Sequence, residues 1–270
     1  MKKAMPREME NEEEFSINIP CSHNSKLEKV VEKVNESEEL KALWRVQNVN
    51  AVDRKGYSDH GPVHMQIVAN IALKIGRILF DNGEGPSLTT HYTGFKQEDA
   101  EIILVLSALL HDIGMTVHRY QHEKNALFIA KDFVDEILQD MYTPAQLAVI
   151  RSEILHAIYS HRSNSEPLTV EAGIIRVSDA LDMEKGRSKI TFENGRVDIH
   201  SVSAAAVDEV KIEEKGGKVS IKVILNSNAG IFQITGLLKN KLEGSGIEDQ
   251  ITVKAEMSSE SGQVIEDIVI

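Results

Sequence analysis

The stretch LSALLHDIGMTVHRYQH, residues 106–122, decides how the chain is read. It closes an apolar run that starts at Ile102, interrupts it with His111-Asp112 and Gly114, then places His118 and His122 one turn apart. An apolar helix usually ends in side chains that cost less to hold near a core. Neighbouring helix residues point about 100° apart, so His111 and Asp112 do not face one another. A cation beside the helix end can nevertheless be reached by both. Imidazole nitrogen and carboxylate oxygen each approach a divalent cation to about 2 Å, and hard and borderline cations accept that mixture. Taken alone, His-Asp is equally an interrupted helix end with a polar cap.

Upstream, Leu27, Val30, Val31 and Val34 and then Leu40, Leu43 and Trp44 repeat at helical spacing, with a break expected at Asn35-Glu36-Ser37. Pro62 suits a first helical position, and Val63, Ile67, Ile71 and Ile75 mark one face of the helix it opens. Residues 81–99 read as a polar loop, and Gly114 as the stop of the next helix. Two further amphipathic helices follow, the second opened by Thr143-Pro144, and then a helix from about 169 to Gly186. After about residue 190 the pattern changes. VDEVKIEEKGGKVSIKVIL reads as two alternating strands around Gly-Gly, followed by a helix and a strand over QITVKAEM. The expected organisation is an N-terminal arm at 1–24, a helical domain at 25–190 and a small α+β domain of ββαβ order at 191–270. The fold class is mainly α.

A chain of 270 residues with 41% hydrophobic and 5% aromatic content builds a largely aliphatic core. The net charge of -12 argues against general nucleic-acid or anionic-membrane binding. It leaves room for a small phosphorylated substrate, since a metal supplies local positive charge. Cys21 is the only cysteine, so neither an internal disulfide nor a thiolate zinc site is expected, which fits a reducing cytoplasm. The N-terminus lacks the apolar stretch of a secretory signal. No GxSxG turn, GxxxxGK[ST] loop or GxGxxG turn is present, which speaks against a nucleophilic serine and a nucleotide-cradling loop.

Ten histidines occur, eight of them between residues 60 and 161. His64 lies in the first turn after Pro62, where the helix dipole favours the neutral imidazole that binds metal. His60 precedes that helix and could contact substrate or orient a neighbour. Asp179 and Asp182 share one helix face, and local pattern does not choose between them.

These residues resemble the metal-dependent HD-domain phosphohydrolases over roughly residues 55–190. His64 in HMQIVA, His111-Asp112 in HDIG and Asp179 in IIRVSDALD match the ligand order H…HD…D of that all-helical domain. The resemblance selects Asp179 over Asp182. Similarity to members with the longer order H…HD…H…H…D implies His122 and His156 as further metal ligands, and Asp112 as a bridge between two cations. His161, about 140° from His156 on a helix, could share the site only if the helix ended between them. The implied cofactor is one or two divalent cations, with Mn, Fe, Mg, Co, Ni and Zn left open.

The resemblance also implies hydrolysis of a phosphate ester by a metal-activated water, with Asp112, His111 and His60 as catalytic residues. His118, His161, Arg119, Lys124 and Arg162 are candidates for substrate contact, and the substrate is expected to be small and nucleotide-like. The acidic pair of guanosine tetraphosphate hydrolases is missing near Met115-Thr116, and the Gly-Tyr-Pro element of cyclic-di-GMP phosphodiesterases is absent. Two other readings stay open: a di-iron oxygenase on the same ligands, and a non-catalytic sensor or scaffold. Exposed strand edges in the tail would suit a homodimer.

Overall fold

Apolar residues at helical spacing form helices α1 (Ser25–Glu36), α2 (Glu38–Asn48), α3 (Pro62–Asp81), α4 (Ser87–His91), α5 (Gln97–Leu110), α6 (His122–Leu138), α7 (Pro144–Ser160) and α8 (Val170–Leu181). The structure, a computed structural model, describes residues 15–185 and 199–258. Local signals set many boundaries. Ser37 ends α1 and caps α2, its side chain accepting from Leu40 N–H. Thr143 and Gln146 form a capping box at α7, with Pro144 in the first turn.

Every side chain from Ala100 to Leu110 is buried. A helix that is apolar on all sides belongs at the centre of a bundle, and α5 sits there with α1, α3, α7 and α8 packed around it. Trp44 of α2 closes one side and donates from its indole N–H to the Leu109 carbonyl at 3.0 Å. The α3 helix is long and apolar enough to cross a membrane by length and composition. Met65, Val68, Ala72, Leu73, Ile75 and Leu79 are buried against the bundle, so it is a core helix.

After the bundle come α9 (Ile199–Ala205), strands β1 (Val207–Lys215) and β2 (Lys218–Leu225), a helical connection ending in Lys239–Leu242, and β3 (Ile251–Met257). β1 and β2 form an antiparallel hairpin through Gly216-Gly217. Both glycines have positive φ (65° and 80°), as a tight hairpin turn demands. β3 returns parallel to β2, giving the order β1-β2-β3. The class and the ββαβ order thus match the sequence reading.

Several local expectations need correction. Residues 81–99 are not all loop, since α4 lies within them. The arm is packed from Phe15 onward: Ile17 and Ile19 are buried, and Asn35 Oδ1 accepts from Ile17 N–H at 2.7 Å. The first 14 residues lie outside the described set. α8 ends at Leu181, not near Gly186, because Asp182 leaves the helix to meet His64. The start of the tail, residues 191–198, also lies outside the described residues.

Gly114 does not end α5 by adopting a left-handed conformation. α5 stops at Leu110, and Gly114 sits in a short 3-10 turn (Ile113–Thr116). A Cβ at Gly114 would lie 2.0 Å from the His122 carbonyl oxygen and 2.4 Å from Ala126 N. The glycine is needed for close approach to the first turn of α6.

Candidate metal centre

Three helix ends deliver the chemistry to one place. His111 is the C-cap of α5; its Nδ1–H donates to the Ala108 carbonyl at 2.8 Å, which leaves Nε2 as the lone-pair nitrogen. His64 lies in the first turn of α3, its Nδ1 at 2.5 Å from Asp182 Oδ2. Asp179 lies in the last turn of α8. His64 Nε2 is 3.4 Å from Asp179 Oδ1 and 3.8 Å from Asp112 Oδ2. His111 Nε2 is 3.6 Å and 3.5 Å from the same two oxygens.

These spacings are too long for good hydrogen bonds. Ligands about 2 Å from one cation, at tetrahedral or octahedral angles, stand about 3 to 3.4 Å apart. The group is close to that spacing. His111 Nε2 is fully buried and makes no hydrogen bond among the described residues. Buried polar nitrogens are almost always satisfied, so a divalent cation fits this donor set of two imidazoles and two carboxylates.

A second group adjoins the first. Asp112 Oδ1 lies 2.9 Å from His122 Nε2 and 3.9 Å from His161 Nε2, and the two imidazole nitrogens are 3.1 Å apart. His161 donates from Nδ1 to the Ile158 carbonyl at 2.6 Å, as His111 does to Ala108. The two oxygens of Asp112 therefore face different groups: Oδ2 toward His64 and His111, the imidazoles that meet Asp179, and Oδ1 toward His122 and His161.

The electrostatics favour ionised carboxylates at Asp112 and Asp179 and a neutral imidazole at His161. Burial alone would raise Asp112, but the imidazoles of His111, His122 and His60 outweigh it and hold the carboxyl well below the usual range. Asp179 follows the same pattern: burial opposes ionisation, while Lys241, His111 and His64 overcome it. Burial, then His111, His122 and Lys241, push His161 well below its ordinary value. It stays neutral, the form a cation requires.

His161, and not His156, is the histidine that the structure brings to the second group. His156 stands outside both groups, its Nε2 accepting from Leu168 N–H at 2.9 Å. α7 ends at Ser160, so His161 at the C-cap turns inward and stands in the group where His156 was expected. His161 accordingly stands with Asp112 and His122 and does not line the neighbouring cleft. His60 Nε2 lies 3.9 Å from Asp112 Oδ2, at the edge of the first group. His118, Arg119, Lys124 and Arg162 line a neighbouring cleft. Sequence reasoning missed Lys241, whose Nζ is 2.8 Å from Asp179 Oδ2 and comes from the tail. No local pattern marked it. It also left Asp182 without a role.

If each group holds one Mn²⁺, His161→Ala is expected to lose one ion and His156→Ala to keep both, as measured by metal content after gel filtration. Equal content in the two variants would discard the exchange of one histidine for the other.

Imidazoles and carboxylates in the order H…HD…D, carried on helix ends of an all-helical bundle, define a divalent-metal-binding domain. A family profile described as HD domain matches residues 63–184, so this part of the chain is an HD domain, a family made up mostly of metal-dependent hydrolases. It is similar to a protein named Uncharacterized protein MJ1020 from Methanocaldococcus jannaschii, with 41% identity over 242 residues, 89% of this chain and 93% of that protein. It is also similar to Ribonuclease Y from Nitratiruptor sp., with 24% identity over 217 residues, covering 76% of this chain but 38% of that protein.

Proposed function

We propose that the protein hydrolyses a phosphate ester of a small, nucleotide-like substrate, using two divalent cations held by His64, His111, Asp112 and Asp179 and by Asp112, His122 and His161. The observation that carries this reading is Asp112, whose two oxygens face separate ligand groups. Bound cations supply positive charge for the phosphate oxygens and a water whose pKa is lowered toward neutrality.

The protein's own groups do the rest. His60 Nδ1 lies 2.7 Å from the Ser58 carbonyl, so its N–H is held there and Nε2 faces the centre as a proton acceptor. A cleft of about 540 Å³ lies beside the second group. Lys55, Arg119, Lys124 and Arg162 line it, with Glu123 as the acidic member. In a chain of net charge -12 this is a local concentration of cations suited to phosphate. Tyr57, Tyr120 and Tyr159 border the same cleft and offer ring faces to a base. The Arg119 guanidinium lies 5.8 Å from the Tyr57 ring centroid and 2.8 Å from His122 Nδ1, which links the cleft to the centre.

Phosphate release is tested across mono-, di- and cyclic nucleotides with Mn²⁺, Co²⁺, Mg²⁺, Ni²⁺, Zn²⁺ and Fe²⁺. Short RNA is an added arm, prompted by the relative named a ribonuclease. Release that depends on the cation and stops with a chelator is the expected result. Metal-loaded protein that releases nothing, or that consumes oxygen with iron without releasing phosphate, overturns the proposal.

A further inference from the structure

The C-terminal unit reaches into the metal centre through one side chain. Lys241 lies on the short helix Lys239–Leu242. Its Nζ donates to Asp179 Oδ2 at 2.8 Å and to the His161 carbonyl at 2.5 Å. One ammonium thus touches a residue from each ligand group. Lys241 and Asp179 are both largely covered, with side-chain exposures of 17% and 19%.

The placement of this helix is enforced. Arg176, one turn before Asp179 on α8 and buried, donates to the carbonyls of Asn240, Glu243 and Gly244, which flank Lys241 in the chain. The same guanidinium holds the carbonyls of Ser163 and Ser165 just after α7. Gly173 admits the Ser245 carbonyl to α8, where a Cβ would approach it to 2.3 Å. A rotamer-rich lysine gains accuracy only when its backbone is held in this way.

We infer that Lys241 is a positioning residue by which the C-terminal unit sets the metal centre, holding Asp179 Oδ2 so that only Oδ1 faces His64 and His111. The inference rests on the metal-centre reading above. Lys241 occupies one oxygen of the carboxylate, and its charge lies close to any cation held by the other. Two consequences of opposite sign follow. Removing the ammonium frees both Asp179 oxygens and takes away a repelling charge, so a cation binds more tightly. It also loosens the placement of Asp179 and His161, so turnover falls.

Mn²⁺ titration by calorimetry and phosphate release are compared for wild type, Lys241→Met, Lys241→Gln and Lys241→Arg. Lys241→Met is expected to bind Mn²⁺ about tenfold more tightly at one site, while phosphate release falls about 10- to 100-fold, the range seen when groups that orient metal ligands are changed. Lys241→Gln keeps a donor for the His161 carbonyl without the charge and is expected to move both readings in the same directions, so it carries the test if the Met variant folds poorly. Lys241→Arg is expected to stay near wild type in affinity. Affinity and rate falling together in Met and Gln would mean that Lys241 only packs, and would overturn the inference. So would variants that match wild type in both readings while wild type binds Mn²⁺ and releases phosphate. Wild type that binds no Mn²⁺ would overturn the metal-centre reading and this inference with it; wild type that binds Mn²⁺ but releases no phosphate sinks the proposed activity alone, and the affinity arm still decides the case for Lys241.

Discussion

If the proposed activity and the two cation sites hold, Asp112→Asn is expected to lower phosphate release about 10³-fold and to leave one bound Mn²⁺ or none. The scale is that of losing electrostatic stabilisation where charge develops in the transition state. Asp112 is the residue shared by the two ligand groups, with Oδ2 3.5 Å from His111 Nε2 and Oδ1 2.9 Å from His122 Nε2. Asparagine keeps the shape but replaces one acceptor oxygen with an N–H₂ donor. Whichever way the amide turns, one group meets a donor where it needs a lone pair. Metal analysis of the purified variant beside a phosphate-release assay gives the answer. A variant that keeps both ions and works within about threefold of wild type would remove Asp112 from the centre.

Gly114→Ala costs about 3 kcal/mol of stability, at the upper end for overpacking. A Cβ there meets backbone atoms, the His122 carbonyl at 2.0 Å and Ala126 N at 2.4 Å. No side-chain rotation relieves that contact, so the first turn of α6 must move away. For a chain of this size, about 2 to 4 °C of melting temperature is lost per kcal/mol, or roughly 6 to 12 °C in all. His122 opens α6, so its Nε2 moves off Asp112 as well. The proposed phosphate release is then expected to fall by about 10²-fold, the scale of a misplacement near 1 Å. Calorimetric melting with the activity assay checks both. A variant melting within a degree or two of wild type would show that the turn and α6 are less tightly fitted than their spacing implies.

His161 and His156 show where reading the sequence runs out. Five residues apart, they point about 140° from each other as long as the helix continues. The choice depends on where α7 stops, and it stops at Ser160, so His161 turns inward and His156 is left to accept from Leu168 N–H. Similarity to a longer ligand pattern pointed to His156 because flanking residues match by local sequence, whereas the histidine that meets Asp112 and His122 is decided by position in space. Asp179 and Asp182 divide differently. They lie on one helix face in sequence, yet Asp179 faces the ligand group while Asp182 lies beyond the last helical residue and holds His64 Nδ1.

The sequence by itself determined the helical class, the central apolar helix ending at His111-Asp112, the start of α3 at Pro62 and the hairpin at Gly216-Gly217. Each is governed by short-range effects: apolar spacing along one segment, a fixed proline φ, and the freedom of glycine in a tight turn. Only the tertiary structure decided that Asp112 faces two groups, that Gly114 serves the approach of α6, and that Lys241 reaches Asp179 from 62 residues away. These depend on how helix ends and a distant tail pack together. Distances across such packing are fixed by steric fit and the pairing of buried polar groups, neither of which leaves a period in the chain.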